Sequence, residues 1–154
     1  ESFGTLPEAD PGAVSERAIE RGKSQLGTLG SGNHFIEVEF VEEVYDRTIA
    51  EAFGLFPGQI CVAVHSGSRG LGHQLCDDYL DLMLRASQKY GIELADRQLC
   101  CAPLRSPEAR QYLGAMQAAA NYAFCNRQMM GQYVRATFEH LFGRSWESLG
   151  MDLV

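Results

Sequence analysis

Leu26-Gly27-Thr28-Leu29-Gly30-Ser31-Gly32-Asn33-His34-Phe35-Ile36-Glu37 decides how this chain folds. Ser24–Gly32 holds three glycines in nine residues, too loose for regular structure. It opens directly onto Asn33–Val44, where β-branched and aromatic residues dominate. There Ile36, Val38 and Phe40 alternate with Glu37, Glu39 and Val41, the period of two that marks a strand with one buried face. A second stretch echoes the first: His65-Ser66-Gly67-Ser68-Arg69-Gly70-Leu71-Gly72-His73-Gln74. It follows Ile60–Val64, a continuous apolar run that predicts a buried strand ending at His65. Each stretch thus sets a histidine beside a glycine-rich loop at the end of a strand.

The rest of the chain arranges itself around this pair. Pro11–Lys23 has weak helical character, and Asp46–Phe53 predicts a short helix before the Pro57-Gly58 turn. Leu71, Leu75, Tyr79 and Leu82 form the stripe of a helix over 71–90, closed by Gly91. A short strand is expected near Gln98–Ala102. Ser106-Pro107-Glu108 supplies a cap, a proline at the first helical position and an acid near the positive helix end. The helix that follows reaches Phe142, with a break expected at Gly131 because of its length. Ser145–Val154 reads as the front of another strand. The expected fold class is α+β: a mixed sheet including 34–44 and 60–65, flanked by helices over 71–90 and 107–142.

Composition excludes several classes. The chain has 154 residues, 45% hydrophobic and 21% charged, values of an ordinary folded domain. No apolar run approaches the ~20 residues that span a bilayer, and no signal-peptide pattern opens the chain, so no membrane association is expected. The formal charge of −7 argues against a broad nucleic-acid footprint; any nucleic acid is expected to be gripped locally, or by basic parts of a longer protein. The five cysteines are odd in number and show no CxxC spacing, which reads as core or interface thiols in a reducing, cytoplasmic setting.

The side chains of the two stretches carry chemistry. In an ideal strand Asn33, Phe35 and Glu37 share a face. An aromatic ring stacks on a base, a carboxylate accepts the paired donors of a guanine edge, and an asparagine donates to a phosphate. The same residues also suit a half-exposed strand with a solvated Glu37. His34 points to the other face unless the strand entry is irregular, which Gly30 and Gly32 permit. His34 and His65 at two strand–loop junctions are candidate metal ligands, since imidazole suits manganese, zinc and iron. Two ligands are too few for a closed site. Ser66, Ser68 and Arg69 among Gly67, Gly70 and Gly72 resemble an anion cradle at a helix start, or else a tight turn with a structural arginine. Asn121 and Asn126-Arg127-Gln128 interrupt the last helix, which reads as helix polarity or as a buried network.

Three segments closely resemble the RtcB family of tRNA-splicing ligases: Gly27–Glu37, His65–Gln74 and Ala115–Gln128. The resemblance covers nearly the whole chain and implies an RtcB-type ligase fold. It implies joining of RNA ends bearing a 2′,3′-cyclic phosphate or 3′-phosphate to 5′-hydroxyl ends, with GTP and two manganese ions (Mn2+), through a guanylylated histidine. Its RNA partners would be tRNA halves or broken RNA, with an archease-type activator as a further partner. By the same resemblance His34 and His65 match two manganese-ligand histidines. Asn33, His34, Phe35, Ile36 and Glu37 match a segment contacting the guanylate, and Arg69, with Ser66 and Ser68 beside it, matches an arginine near the RNA phosphate.

The departures are as specific. The family's metal site also uses an Asp-x-x-Cys pair and a His-Asn pair, and its guanylylated histidine lies elsewhere; none is recognisable among these residues. The chain therefore reads as a single segment, 1–154, from the centre of a larger catalytic domain, and as inactive by itself. The alternative is a non-catalytic nucleotide- and metal-binding module derived from the ligase. A metal-dependent phosphohydrolase would need more carboxylates near His34 and His65 than Glu37 and Glu39 supply.

Overall fold

A computed structural model of the protein describes residues 4–153. The order of elements is α1 (Glu16–Lys23), β1 (Phe35–Phe40), α2 (Arg47–Ala52), β2 (Ile60–His65), α3 (Arg69–Lys89) and α4 (Pro107–Phe142), with short 3-10 turns at Pro11–Ala13 and Arg97–Leu99. The class is α+β, as expected. The chain divides into two compact units, one made of Glu1–Thr28 with Gly67–Asn126, the other of Leu29–Ser66 with Arg127–Val154.

The first unit is helical. α1 packs on α3, and Ala18, Leu71, Leu75, Tyr79, Ala115 and Ala119 form a buried cluster with the early turns of α4. Small residues permit the close approach: a Cβ on Gly22 would meet Leu71 Cβ at 3.0 Å. The buried Tyr79 and half-buried Tyr122 phenols still bond. Tyr79 Oη donates to the Ala13 carbonyl at 2.8 Å and Tyr122 Oη to the Gly22 carbonyl at 2.7 Å. Burial raises the pKa of both. The Ser15 hydroxyl caps α1 by accepting from the Ala18 amide at 3.1 Å. Ser106 caps α4 in the same way, accepting from Ala109 at 3.1 Å, so the Ser-Pro-Glu start is realised as read. α4 is unbroken through Gly131 over 36 residues. Nothing lies within 4 Å of where a Gly131 Cβ would be, so no close packing bends the helix there.

The second unit holds the sheet. β1 and β2 pair antiparallel, in register from Phe35 opposite His65 to Phe40 opposite Ile60. Directly opposed residues share a face. One face therefore carries Phe35, Glu37 and Glu39 with His65, Ala63 and Cys61. The other carries Ile36, Val38 and Phe40 with Val64, Val62 and Ile60. The alternation was legible, but the apolar face is not buried: Ile36, Val38, Phe40 and Ile60 are 43%, 69%, 61% and 59% exposed. The expected mixed sheet is, among the described residues, this antiparallel pair alone.

Other expectations give way. Residues 98–102 form a 3-10 turn and irregular chain, with Asp96 Oδ1 accepting from the Gln98 amide at 2.8 Å in place of a strand ladder. Residues 145–153 contain a turn and no strand; their amides bond locally, as in Leu149 to the Ser145 carbonyl at 3.1 Å. Val154 lies outside the described residues. The cysteines are free and none is buried, because Cys76, Cys101 and Cys125 fall on exposed positions and Cys61 and Cys100 are half-buried.

Candidate functional site

In the second unit, the antiparallel register brings the two histidines together. It sets the N-terminal end of β1 beside the C-terminal end of β2, so His34 and His65 come from opposite strand ends. His65 ends β2, as the run Ile60–Val64 predicts. His34 precedes the first paired residue, Phe35, and is not bound by strand alternation. Gly30 and Gly32, both at positive φ (106° and 76°), supply the irregular entry. The His34 and His65 ring centroids lie 6.1 Å apart. Phe35 stacks on His65 at 5.1 Å and 14°, so one face of the phenyl ring is already taken by the imidazole.

His34 Nδ1 is buried without a hydrogen-bond partner, alone in this among the side chains of the described residues. An unmet buried nitrogen costs about 1–3 kcal/mol in a final structure, and such groups concentrate at sites completed by an ion or ligand. The donor set also fits: two imidazoles close together suit manganese among other divalent metals. Among the described residues no group of three or more histidine, cysteine or acidic side chains is arranged to hold a metal, so the pair is a partial ligand set. Asn33, Phe35, Ile36 and Glu37 are all exposed. Phe35 and Glu37 share a face, whereas Ile36 points to the apolar one.

Ser66 belongs to the second unit. Its hydroxyl donates to the Leu29 carbonyl at 2.7 Å, and Arg127 Nη1 donates to its carbonyl at 3.2 Å. Ser66 thus works as a strap between loops, which the anion-cradle reading did not foresee.

Ser68 and Arg69 belong to the first unit. Ser68 makes no capping bond to α3, and its hydroxyl fills the space a Cβ on Gly72 would take. Arg69 opens α3 at φ +52°, the one residue other than glycine at positive φ among those described. That conformation costs about 1–2 kcal/mol, and strain of this kind clusters at functional sites. Contacts offset it: Arg69 Nε donates to Thr28 Oγ1 at 3.1 Å, and the next amide, Gly70, donates to Gln25 Oε1 at 2.7 Å.

Of the two readings of the polar residues in the last helix, Asn126 follows the buried network. Its side chain is completely buried. Oδ1 accepts from the Gly27 and Thr28 amides at 2.7 and 3.2 Å; Nδ2 donates to the Thr28 and Gly67 carbonyls, both at 3.2 Å. Asn121 similarly grips the Leu6 backbone, accepting at 2.7 Å and donating at 3.2 Å. The signal was present as asparagines inside an apolar stripe; their partners, about a hundred residues away, were not readable.

Comparison with known proteins agrees with these segments. A family model described as "tRNA-splicing ligase RtcB" matches residues 1–154. The tRNA-splicing ligase RtcB of Archaeoglobus fulgidus is 53% identical over 154 residues, covering 100% of this chain and 32% of that protein. The one from Thermococcus kodakarensis is also 53% identical, with the same 100% and 32% coverage. For that of Methanocaldococcus jannaschii, 53% identity extends over 100% of the chain and 16% of the relative. The chain spans about a third or less of the length of these relatives. With the match running through the histidine pair, the Arg69 turn and the asparagine-bearing helix alike, the chain belongs to the RtcB family.

Proposed function

We propose that this chain supplies part of the active site of a GTP- and manganese-dependent RNA ligase. In the full-length protein the ligase joins 2′,3′-cyclic phosphate or 3′-phosphate ends to 5′-hydroxyl ends, using a guanylylated histidine that we assign to none of the histidines here. The observation that carries the reading is the buried, unpartnered His34 Nδ1 facing a neighbourhood shared with His65. His34 and His65 would hold manganese, which polarises phosphoryl oxygens and lines up attacking and leaving groups when bound. Asn33, Phe35, Ile36 and Glu37 would receive the guanylate; Phe35, backed by His65 on one face, offers the other to a base. Arg69 would bind the RNA terminal phosphate, with Ser66 and Ser68 shaping the loop around it. The RNA substrates are broken tRNA or other RNA ends, and an archease-type activator fits the same reading.

The test is manganese calorimetry on the full-length protein carrying this sequence, with His34→Ala and His65→Ala. Each substitution is expected to weaken binding at least tenfold, about 1.4 kcal/mol. Unchanged binding in both variants would remove the histidine pair from the metal site. The 154-residue chain alone, with only His34 and His65 as a partial ligand set among the described residues, is expected to give no ligation.

A further inference from the structure

We infer that Thr28 and Asn126 are positioning residues that pre-set the Arg69 guanidinium for end-on pairing with an RNA terminal phosphate. The inference rests on the assignment of Arg69 to that phosphate and adds the device that aims it.

The Thr28 hydroxyl has one proton, and that proton is committed to the Gln25 carbonyl at 2.5 Å. Its oxygen can therefore only accept from Arg69 Nε. Thr28 in turn cannot shift, because its amide and carbonyl are both bound by the Asn126 side chain. Asn126 commits both ends of its amide to backbone groups, Oδ1 accepting from Gly27 and Thr28 and Nδ2 donating to Thr28 and Gly67. One buried amide thus ties together the loop that receives Arg69 Nε and the residue two positions before Arg69.

The consequence lies in what remains of the guanidinium. A side-on fork would use Nε and one Nη, but Nε is taken. The two Nη groups carry the other four N–H donors and show no partner among the described residues. A phosphate is then met end-on, through both Nη groups, by a fork already held in place. Pre-ordering of this kind raises affinity by lowering the ordering cost of binding. The same residue carries the left-handed backbone at the start of α3, φ +52°.

The experiment measures binding of two short RNAs, identical except for a 3′-phosphate or a 3′-hydroxyl end, to the full-length protein carrying this sequence. The variants are Thr28→Val, Thr28→Ser, Arg69→Ala and the double variant Thr28→Val with Arg69→Ala. Thr28→Val keeps the shape and removes the acceptor. It is expected to raise the Kd for the 3′-phosphate RNA roughly tenfold and leave the 3′-hydroxyl RNA unchanged, with Thr28→Ser within about twofold of the parent. On the Arg69→Ala background it should add nothing. Equal losses on both RNAs, or an additive loss in the double variant, would mean a merely structural Thr28 and overturn the inference. So would an Arg69→Ala defect that Thr28→Val does not share. If Arg69→Ala itself leaves 3′-phosphate binding intact, the phosphate assignment of Arg69 fails first, and that result is distinct from the others.

Discussion

Single residues set the loops here, and Asn126 is the one on which most depends. Burying an amide is unfavourable unless every donor and acceptor is met, and Asn126 meets all of its own on backbone groups. Asn126→Ala removes the bonds to the Gly27 and Thr28 amides and to the Thr28 and Gly67 carbonyls, leaving Thr28 N–H only its bond to the Gln25 carbonyl, and opens a gap. A loss of about 2–4 kcal/mol is expected, read from denaturant unfolding. A change under ~0.5 kcal/mol would mean that water or backbone shifts replace the side chain. Asn126→Asp is informative beside it, because a carboxylate keeps the two accepted bonds and cannot make the two donated ones. The histidines obey the same logic in reverse. His34 was legible as a ligand from its place beside a glycine-rich loop, but its unpartnered Nδ1 follows from packing that no spacing rule encodes.

At the scale of elements, local chemistry was the legible part. Ser15, Asp46 and Ser106 each accept from the amide three residues on, as helix starts of these residue types should. The alternation at Ile36, Val38 and Phe40 marked β1. What local pattern could not supply was pairing. The continuous run Ile60–Val64 reads equally as a parallel strand or as one strand of an exposed ribbon, and only the register separates them. A break at Gly131 is expected from sequence, yet a single glycine costs only about 1 kcal/mol against alanine, too little to break a helix of 36 residues. The start of α4 carries a pH-dependent contact. Glu108 accepts from Lys89 Nζ at 2.8 Å, and this bond, more than the backbone amide and Tyr90 that also reach it, holds its pKa at about 2. Because the folded value is depressed, the carboxylate's stabilisation is present above its ordinary value of 4.5 and is lost as pH falls from there toward about 2. NMR titration of Lys89→Met should show the Glu108 midpoint moving up toward 4.5, short of it because the Tyr90 bond and the helix N-terminus persist. High salt should shrink the difference, since Lys89 is largely exposed. An unmoved midpoint would assign the shift to the helix end instead.

For the molecule as a whole, the informative feature is a face that is well formed and uncovered. β1 and β2 separate their residues cleanly, yet on the side carrying Val62 and Val64, both half-buried, the flanking Ile36, Val38, Phe40 and Ile60 stay open to solvent. A soluble chain rarely leaves such a contiguous apolar surface exposed, and both strands of a two-stranded ribbon have unpaired edges. The relatives are about three times as long or longer, the chain covering 32% of two of them. Helix caps, the Arg69 turn and the histidine pair form from local contacts, whereas among the described residues Ile36, Val38, Phe40 and Ile60 of this face remain exposed. The 154-residue chain studied alone should therefore associate through the ribbon. Sedimentation velocity across a hundredfold concentration range should show mass rising with concentration. Val38→Thr with Phe40→Thr keeps strand propensity while removing apolar area at the two most exposed positions, 69% and 61%, and should return the chain to a monomer. A parent that stays monomeric throughout would mean the ribbon is shielded some other way. Association that survives both substitutions would place the contact elsewhere, with Leu104, Leu141 and Phe142 as the next exposed candidates.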